Sequence, residues 1–345
     1  MSKSASNSPP RPPAGIPSSN PDHPAAGMGM REMLSALKAT AEITRLRLLF
    51  ILSRGEFNVT ELTHILEQSQ PRLSRHLKLL TEAGLLERHR EGSWVIFRLR
   101  EDGAASELAR FLANRLDEHD ETFAADLRKV NAILQRRREK AAAYFAAVAG
   151  EWDRIRSLHV AEDAVEEAMR ALAGPGPFRL FLDIGTGTGR MLELFAPRAE
   201  EAIGIDSSHA MLAVARGRLA KPEFAHVRLR LADATALPVT DGAADFITIH
   251  QVLHYLEHPG AVIGEAARAL MPGGRLLMAD FAPHDLEFLR EECAHRRLGI
   301  SDRDMRRWLH RAGLALVEER RLEPPADLGD RGLTVSLWLA EKGGA

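Results

Sequence analysis

Cysteine is almost absent from this sequence, since Cys293 is the only one among 345 residues. A single thiol cannot form a disulfide within the chain or build a cluster of thiolate metal ligands. Long apolar runs are also missing, and the N-terminus has no apolar signal core. We therefore expect a reduced, cytoplasmic setting, with no membrane segment and no metal site.

Neither sign of charge dominates, because the formal net charge is −2, but the distribution is uneven. Residues 31–100 carry 12 Lys and Arg against 8 Asp and Glu, whereas residues 151–345 carry 24 against 30. A basic small region beside an acidic large one predicts a polyanion partner for the first. The length allows two domains, and an apolar content of 45% is enough for their cores.

Three glycines at alternate positions form the most informative motif. The apolar run Phe178–Leu182 predicts a fully buried strand, and Asp183 follows it. The pattern Asp-x-Gly-x-Gly-x-Gly then runs to Gly189, before a helix that starts near Met191. Glycines in such a turn let the backbone approach a ligand closely. The third glycine comes one residue too soon for GxGxxG, so we predict a nucleotide-type site that is not a dinucleotide site.

Three later stretches follow in the order of one α/β fold. The segment 203–206 reads as a second strand ending in Asp206, which can accept hydrogen bonds from ribose hydroxyls. A third strand leads to Asp233, and 270–276 predicts the turn before a fifth strand. With the glycine motif, these stretches resemble the class I S-adenosylmethionine (SAM)-dependent methyltransferases. The resemblance implies a Rossmann-like α/β domain with a seven-stranded sheet, completed by strands at 314–322 and 333–340.

The resemblance also implies which residues hold SAM or its product S-adenosylhomocysteine (SAH). The acid after the third strand would contact the adenine, and residues just past the fourth strand would contact the methionine part. The implied cofactor-binding residues are Asp183, Gly185, Thr186, Gly187, Gly189, Asp206, Ser207, Met211, Asp233, Ala234, His250 and Gln251. Tyr144, Trp152 and His159 precede this region and are interpreted either as a cofactor lid or as core residues.

His254 is the residue that we predict to be catalytic, as a general acid or base, with Tyr255 beside it in an acceptor pocket. Methyl transfer from SAM depends largely on proximity and orientation, so a missing catalytic motif argues only weakly against an enzyme. His250 and His254 also fit one helix face as metal ligands, but no third ligand is evident. The sequence therefore leaves enzyme activity open and predicts no metal.

The first third of the chain shows a helix, turn, helix, hairpin pattern. Apolar residues at helical spacing run from Met30 to Leu52, and Thr60 is interpreted as the N-cap of the next helix. Gly84 ends the helix after that. The segments 85–89 and 94–99 predict a β-hairpin. This order predicts a winged helix-turn-helix.

The polar face of the helix before Gly84 combines residue types that read base edges with types that bind phosphate. The predicted DNA-binding residues are Ser69, Gln70, Arg72, Ser74, Arg75, His76, Lys78 and Arg90. The alternative is a protein-binding winged helix with a solvated charged face.

Two segments carry a family resemblance, namely 44–49 (TRLRLL) and 69–80 (SQPRLSRHLKLL). They resemble the ArsR-type (arsenic-repressor) winged-helix family over about residues 30–100. The resemblance implies a homodimeric repressor that binds double-stranded operator DNA and is released by an inducer. Metal sensing is not carried over, because the recognition helix and its neighbours contain no cysteine.

The remaining segments complete the predicted organisation. Residues 1–29 are predicted to be a disordered tail, and 30–103 the winged helix-turn-helix domain. Residues 104–160 are predicted to form a helical connector and cofactor lid, and 161–345 the SAM-binding domain. The connector offers a dimer helix around Phe111, and its run Arg136–Arg138 is interpreted as a solvated face, with phosphate contact as the alternative.

The segment 281–296 follows the predicted fifth strand and is rich in charged residues and histidine. It is the place for an acceptor site, an effector contact or a surface that touches the DNA-binding domain, with a solvated helix as the alternative.

The fused arrangement resembles ArsR-type regulators with C-terminal methyltransferase domains, including those tied to methionine and SAH recycling. It predicts a transcriptional repressor whose methyltransferase-like domain binds SAM or SAH as effector. One alternative is a SAM-dependent methyltransferase that acts on a small-molecule acceptor and carries a regulatory DNA-binding domain. Another is an interaction protein whose cofactor pocket is a relic.

Overall fold

A computed structural model describes residues 27–91, 94–100, 103–152, 162–324 and 332–344. Most of the predicted tail and His159 lie outside these residues, as does the predicted domain boundary at 160. Within the described ranges, no helix combines the length and hydrophobicity that crossing a bilayer requires.

The N-terminal region consists of helices packed around a small antiparallel sheet with the strand order β1-β3-β2. In chain order its elements are α1 (Met30–Thr40), α2 (Ile43–Leu52), β1 (Phe57–Asn58), α3 (Val59–Leu66), α4 (Gln70–Glu82), β2 (Leu86–Glu91), β3 (Trp94–Leu99), α5 (Ala104–Arg115) and α6 (Glu121–Val148). The hairpin of β2 and β3, called the wing below, confirms the predicted winged helix-turn-helix.

Helix α4 shows how the apolar spacing sets this fold. Leu73, Leu77 and Leu80 recur every three or four residues and are at most 1% exposed, so one face of α4 packs into the core. Gly84 follows with a φ of +71°, a conformation that glycine adopts without strain, and the chain turns into the wing.

Two local predictions were wrong. The helical pattern of Met30–Leu52 divides into α1 and α2, because Glu42 is extended and caps α2 by accepting from the backbone N–H of Arg45. The N-cap of α3 is Asn58 rather than Thr60. Asn58 and Glu61 form a reciprocal capping box, in which each side chain accepts from the other's backbone N–H at 2.9 and 3.0 Å.

The C-terminal region is a seven-stranded sheet covered by helices, with the strand order β6-β5-β4-β7-β8-β10-β9. Its elements are α7 (Glu162–Ala173), β4 (Phe178–Ile184), α8 (Arg190–Phe195), β5 (Ala199–Asp206), α9 (His209–Arg218), β6 (Val227–Leu231), β7 (Ala244–His250), α10 (Pro259–Ala269), β8 (Leu270–Phe281), α11 (Phe288–Glu292), α12 (Asp302–Arg311), β9 (Leu314–Leu322) and β10 (Val335–Lys342). Short 3-10 turns span Ala149–Glu151, Ala196–Arg198, Pro222–Phe224 and Leu253–Tyr255.

This sheet confirms the predicted Rossmann-like fold. Strands β6, β5, β4, β7 and β8 are parallel, and β10 is antiparallel to both β8 and β9. The strand order reverses at β4, which lies between β5 and β7. In open α/β sheets, ligands bind at such a reversal, beyond the carboxyl ends of the strands.

Buried ion pairs join the two regions. Glu56, in the loop before β1, lies 2.8 Å from Arg297 and 3.3 Å from Arg98 of β3. All three side chains are at most 13% exposed. Burial alone would raise the pKa of Glu56, but the two guanidinium groups hold it well below its usual range. The carboxylate therefore stays charged and fixes the winged helix against the C-terminal region.

Candidate functional site

A cavity of about 710 Å³ lies at the sheet reversal and extends to the N-terminal region. One wall is the loop after β4, and the next is formed by the residues that follow β5 and β6. The opposite side is formed by α6 and by residues of the winged helix. One cavity therefore borders both regions of the chain.

The glycine loop is held by the backbone and leaves space above it. The backbone N–H groups of Gly185 and Thr186 both donate to Ile205 O, which ties the loop to β5. A Cβ at Gly185 would lie 2.4 Å from Val252, so no larger residue fits. Gly187 has a φ of +52°, and a Cβ there would first meet Trp152 Nε1, at 3.8 Å. This open space above Gly187 is part of the cavity and suits a ligand that lies close to the backbone.

Asp206 stands at the carboxyl end of β5, where the sequence places it. The backbone N–H of Gly187 donates to Asp206 Oδ2, and that of Ser208 to Oδ1, both at 2.8 Å. Burial raises the pKa of this carboxyl group above its usual range, while the backbone donors oppose the shift. The carboxylate is fixed in orientation, and its remaining lone pairs can accept from a ligand.

The cavity wall includes all but one of the predicted cofactor-binding residues, namely Asp183, Gly185, Thr186, Gly187, Asp206, Ser207, Met211, Asp233, Ala234, His250 and Gln251. Gly189 is the exception, because it faces α9, and a Cβ there would lie 3.3 Å from Ala215. Gly189 adopts a φ of +85° and allows the chain to turn into α8, but it does not line the cavity.

An aromatic group covers the glycine loop. Trp152 lies over Gly187, and its ring is 5.6 Å from that of Phe145. Phe145 in turn lies 4.8 Å from Tyr255. Burial raises the pKa of Tyr255 well above its usual range, so its hydroxyl stays neutral. Trp152 has the position predicted for a lid, while Tyr144 meets Phe145 edge to face and is not part of the cavity wall.

His254 lies outside the cavity wall and is 1% exposed. Its Nδ1 lies 2.7 Å from Asp280 Oδ1, and Asp280 also accepts from the backbone N–H groups of Leu253 and Phe281. The His254 ring packs against Tyr255 and His295, which do line the cavity. This geometry fits a positioning role better than the predicted direct proton transfer.

The winged helix and α6 supply cavity residues that sequence reasoning missed, namely Glu61, Trp94, Arg137 and Lys140. Arg137 was interpreted as part of a solvated face, and this was wrong. Its guanidinium donates to Glu61 at 2.7 Å and to Glu257 at 2.8 Å, so it joins α3 to the C-terminal region. These partners are separated by 76 and 120 residues, and no local pattern reveals such pairs.

The 281–296 segment touches the winged helix, the region predicted to bind DNA, and such a contact is one of the roles predicted for this segment. Arg290 lies over the ring of Trp94, with its Cζ 4.6 Å from the ring centroid. Arg296 donates to the backbone oxygen of Glu56 at 2.8 Å. His295 and Arg296 also line the cavity. The segment therefore contacts the wing and the cavity at once.

The predicted DNA-contacting face of α4 points away from the core. Its exposed members are Ser69, Gln70, Arg72, Ser74, Arg75 and Lys78, and Arg90 of the wing is exposed as well. His76 differs, because it is half-buried and its Nδ1 lies 3.6 Å from Glu42. Burial lowers its pKa despite that carboxylate, so His76 fits helix packing better than phosphate binding.

We expect Arg72→Ala to weaken specific DNA binding by about 5- to 150-fold, because a bidentate contact to a base edge contributes about 1–3 kcal/mol. Gln70→Ala should act in the same way. Fluorescence anisotropy with a labelled operator at one fixed salt concentration measures the effect. Arg216→Ala, which changes an exposed arginine of α9 in the C-terminal region, is the matched control. Normal binding by both α4 variants would show that this face does not read DNA.

Comparison with family models identifies both regions. Residues 43–88 match the model described as bacterial regulatory protein, arsR family. Residues 182–278 match the model described as methyltransferase domain. The chain therefore combines an ArsR-type helix-turn-helix with a methyltransferase domain, and both predicted resemblances are confirmed.

Two curated relatives each match only part of this chain. The arsenic resistance transcriptional regulator ArsR1 of Pseudomonas putida is 49% identical over 21% of this chain and 60% of its own length. The demethylmenaquinone methyltransferase of Thermus thermophilus is 41% identical over 30% of this chain and 47% of its own length. The chain thus spans about half of each. Among solved structures, the YcgJ protein of Bacillus subtilis is 21% identical, with 52% of this chain and 98% of that one covered at a TM-score of 0.44.

Proposed function

We propose that this chain, which joins an ArsR-type helix-turn-helix to a methyltransferase domain, is a transcriptional repressor with SAM or SAH as its effector. In this proposal it acts in the cytoplasm on double-stranded operator DNA. The observation that carries the proposal is the shared cavity, because Glu61 and Trp94 of the winged helix line the same space as the glycine loop. A ligand bound there contacts the DNA-binding region directly.

The fit to SAM or SAH rests on the open cradle above Gly187 and on the oriented carboxylate of Asp206. In the proposed pose, Asp206 accepts from the ribose hydroxyls, Asp233 lies beside the adenine, and His250 and Gln251 contact the methionine part. SAH lacks the methyl group and the sulfonium charge of SAM.

The proposed path to DNA is short. Glu61 belongs to the capping box of α3 and also accepts from Arg137, which borders the cavity. Helix α3 packs against the recognition helix α4. A ligand that shifts Arg137 would therefore act on the helix-turn-helix through a chain of direct contacts. A coupling free energy of about 1–3 kcal/mol changes DNA affinity by about 5- to 150-fold.

The decisive experiment is operator binding by fluorescence anisotropy, with DNA from the gene's own upstream region. Affinity is measured without ligand, with SAM and with SAH at one salt concentration, because phosphate contacts make it salt-dependent. We expect one ligand to change the affinity by about 5- to 150-fold. Equal operator affinities at saturating SAM and SAH and without ligand would overturn the proposal.

A homodimer is part of the proposal, because the N-terminal region exposes apolar side chains that its own core does not cover. Met30, Leu34 and Leu37 of α1 are 79%, 49% and 44% exposed, and Phe111 of α5 is 57% exposed. Both helices pack on α2. A second copy of the chain, bringing the same face, would remove this apolar area from water.

Leu34→Glu is expected to weaken dimerisation by at least about 100-fold, because it would bury an unpaired charge in the interface. Sedimentation velocity over a range of protein concentrations measures the change. Val317→Glu, which alters an exposed residue of edge strand β9, is the control. A Leu34→Glu protein that still sediments as a dimer would place the interface elsewhere.

The second candidate function is a SAM-dependent methyltransferase that carries a DNA-binding regulatory domain. The observation that favours it is the aromatic space beside the cofactor pose, lined by Phe145 and Tyr255, where an acceptor could lie. Release of SAH from SAM in the presence of an acceptor, together with operator binding that ignores both ligands, would favour this function over the first.

A further inference from the structure

One face of the wing is covered by the C-terminal region. Glu87 of β2 and Arg98 of β3 lie directly opposite each other in the hairpin, so their side chains project from the same face. Trp94 lies four residues before Arg98 in β3 and therefore shares this face. All three side chains contact the C-terminal region. Arg90, three residues after Glu87, projects from the other face and is exposed. The wing is thus docked on one face, and it exposes a predicted DNA-binding arginine on the other.

Helix α12 docks on the wing through alternating charges. Asp304 Oδ1 lies 2.9 Å from a guanidinium nitrogen of Arg98, and Glu87 Oε2 lies 3.6 Å from one of Arg307. Arg98 also lies 3.2 Å from Glu87, and Arg307 pairs with Asp304. These four side chains are at most 21% exposed. Burial alone would raise the pKa of Asp304, but Arg98 and Arg307 hold it below its usual range, so the network stays charged.

A second contact holds the outer end of the wing. The guanidinium of Arg290 lies over the ring of Trp94, which is a favourable cation–π contact. Arg290 is itself fixed, because it donates to Arg296 O at 2.7 Å and its Nε lies 3.5 Å from the carboxylate of Glu287. The C-terminal region therefore contacts the wing at two places, through α12 and through the 281–296 segment.

The sheet of the N-terminal region supports the inner half of the wing. Strand β1 pairs with β3 at Phe97 and Ile96. Among the described residues, Val95 and Trp94 at the outer end of β3 pair with β2 alone. A two-stranded hairpin is at best marginally stable by itself. The position of the outer half of the wing, which includes Arg90, therefore depends on what packs against it.

We propose that the C-terminal region, through α12 and Arg290, holds the wing in the position from which Arg90 contacts the phosphate backbone of DNA. Without the α12 contact, the outer half of the wing would move, and Arg90 would lose its fixed place. The methyltransferase domain then controls DNA affinity by a second route, beside the one through α3. Trp94 and Arg290 also line the cavity, so a ligand there borders this route. The inference rests on the DNA binding of the proposed function and not on its effector.

Hydrogen exchange followed by mass spectrometry tests the docking on the full-length protein, without DNA or ligand. Asp304→Asn removes the carboxylate of α12 that pairs with Arg98. We expect peptides that carry the outer half of the wing to exchange at least about ten-fold faster, because a hydrogen bond to a charged group contributes at least that factor. Asp302→Asn is the matched control, because the same change on α12 breaks a pair with Arg321 inside the C-terminal region. It should leave the exchange of the wing unchanged.

A double-mutant cycle tests the consequence for DNA binding. Arg90→Ala should weaken operator binding by about ten-fold and reduce the salt dependence of log affinity by about one, as expected for a lost phosphate contact. In an Asp304→Asn background, the same change should weaken binding by less than about two-fold, because the two residues act together. In an Asp302→Asn background, it should keep its full effect. Fluorescence anisotropy over a range of salt concentrations measures both quantities.

The outcomes separate this inference from the proposed function. Unchanged exchange of the wing in Asp304→Asn would overturn the inference, and so would an Arg90→Ala effect of equal size in both backgrounds. A wild-type protein that binds no operator DNA would overturn the proposed function and the DNA contact of Arg90 with it, while the exchange experiment would still decide whether α12 holds the wing. Operator binding that ignores SAM and SAH would overturn only the effector, because neither experiment contains a ligand.

Discussion

Asp206→Ala is expected to lower the affinity for SAH by at least about 100-fold. The carboxylate lies at the end of β5, and the backbone N–H groups of Gly187 and Ser208 fix both of its oxygens. In the proposed pose this carboxylate accepts hydrogen bonds from two ribose hydroxyls. A hydrogen bond to a charged group contributes about 1.5–3 kcal/mol, so losing two costs about 3 kcal/mol or more.

Titration calorimetry on the full-length protein measures this loss. Glu201→Ala removes an exposed carboxylate from the same strand and should leave SAH binding unchanged. Gly187→Val tests the pocket from the loop side, because any side chain there would fill the open cradle. SAH affinity at the wild-type level in Asp206→Ala would reject the pocket assignment.

Glu56→Ala is expected to remove the response of DNA binding to the ligand. The change leaves Arg297 and Arg98 without one of their carboxylates at the boundary between the two regions. Breaking a buried ion pair costs about 3–5 kcal/mol. This cost exceeds the coupling of about 1–3 kcal/mol that is proposed between ligand and DNA, which depends on the two regions staying in contact. The ratio of operator affinities with and without SAH should therefore fall to about one.

The test is stronger when all four affinities are measured, namely DNA binding with and without SAH and SAH binding with and without DNA. Linkage requires that DNA changes SAH affinity by the same factor as SAH changes DNA affinity, so both factors should fall together in the variant. Glu118→Ala is the control, because it removes an exposed ion pair with Arg54 inside the N-terminal region. A Glu56→Ala protein that keeps the full ligand response would show that the coupling runs elsewhere.

The sequence could predict those features of the site that depend on local backbone geometry and on residue spacing. The glycine loop needs positive φ values at Gly185 and Gly187, and an acid at the end of a parallel strand must lie at the ligand edge of the sheet. The exposed face of α4 followed from the spacing of Leu73, Leu77 and Leu80. In each case the signal lies within a few residues.

Tertiary packing decided the rest. Arg137 lies in a run of arginines that is typical of a solvated helix, yet its partners are Glu61 and Glu257. His254 follows a strand at a position typical of substrate contact, but Asp280 and the rings of the 281–296 segment enclose it. Gly189 is required by the turn into α8 and not by a ligand. No residue near these three carries a pattern that reveals their partners.

Because the cavity borders both regions, a fragment that contains only one region would lack part of the cavity wall. A fragment beginning at α7 would keep the glycine loop and Asp206, but it would lose Trp94, Lys140 and Phe145 from the opposite wall. A fragment ending at β3 would keep the face predicted to read DNA, but it would lose Arg137, the partner of Glu61. Neither fragment would therefore show the ligand binding or the DNA binding of the full-length protein. The two regions are separate folds, but they share one cavity.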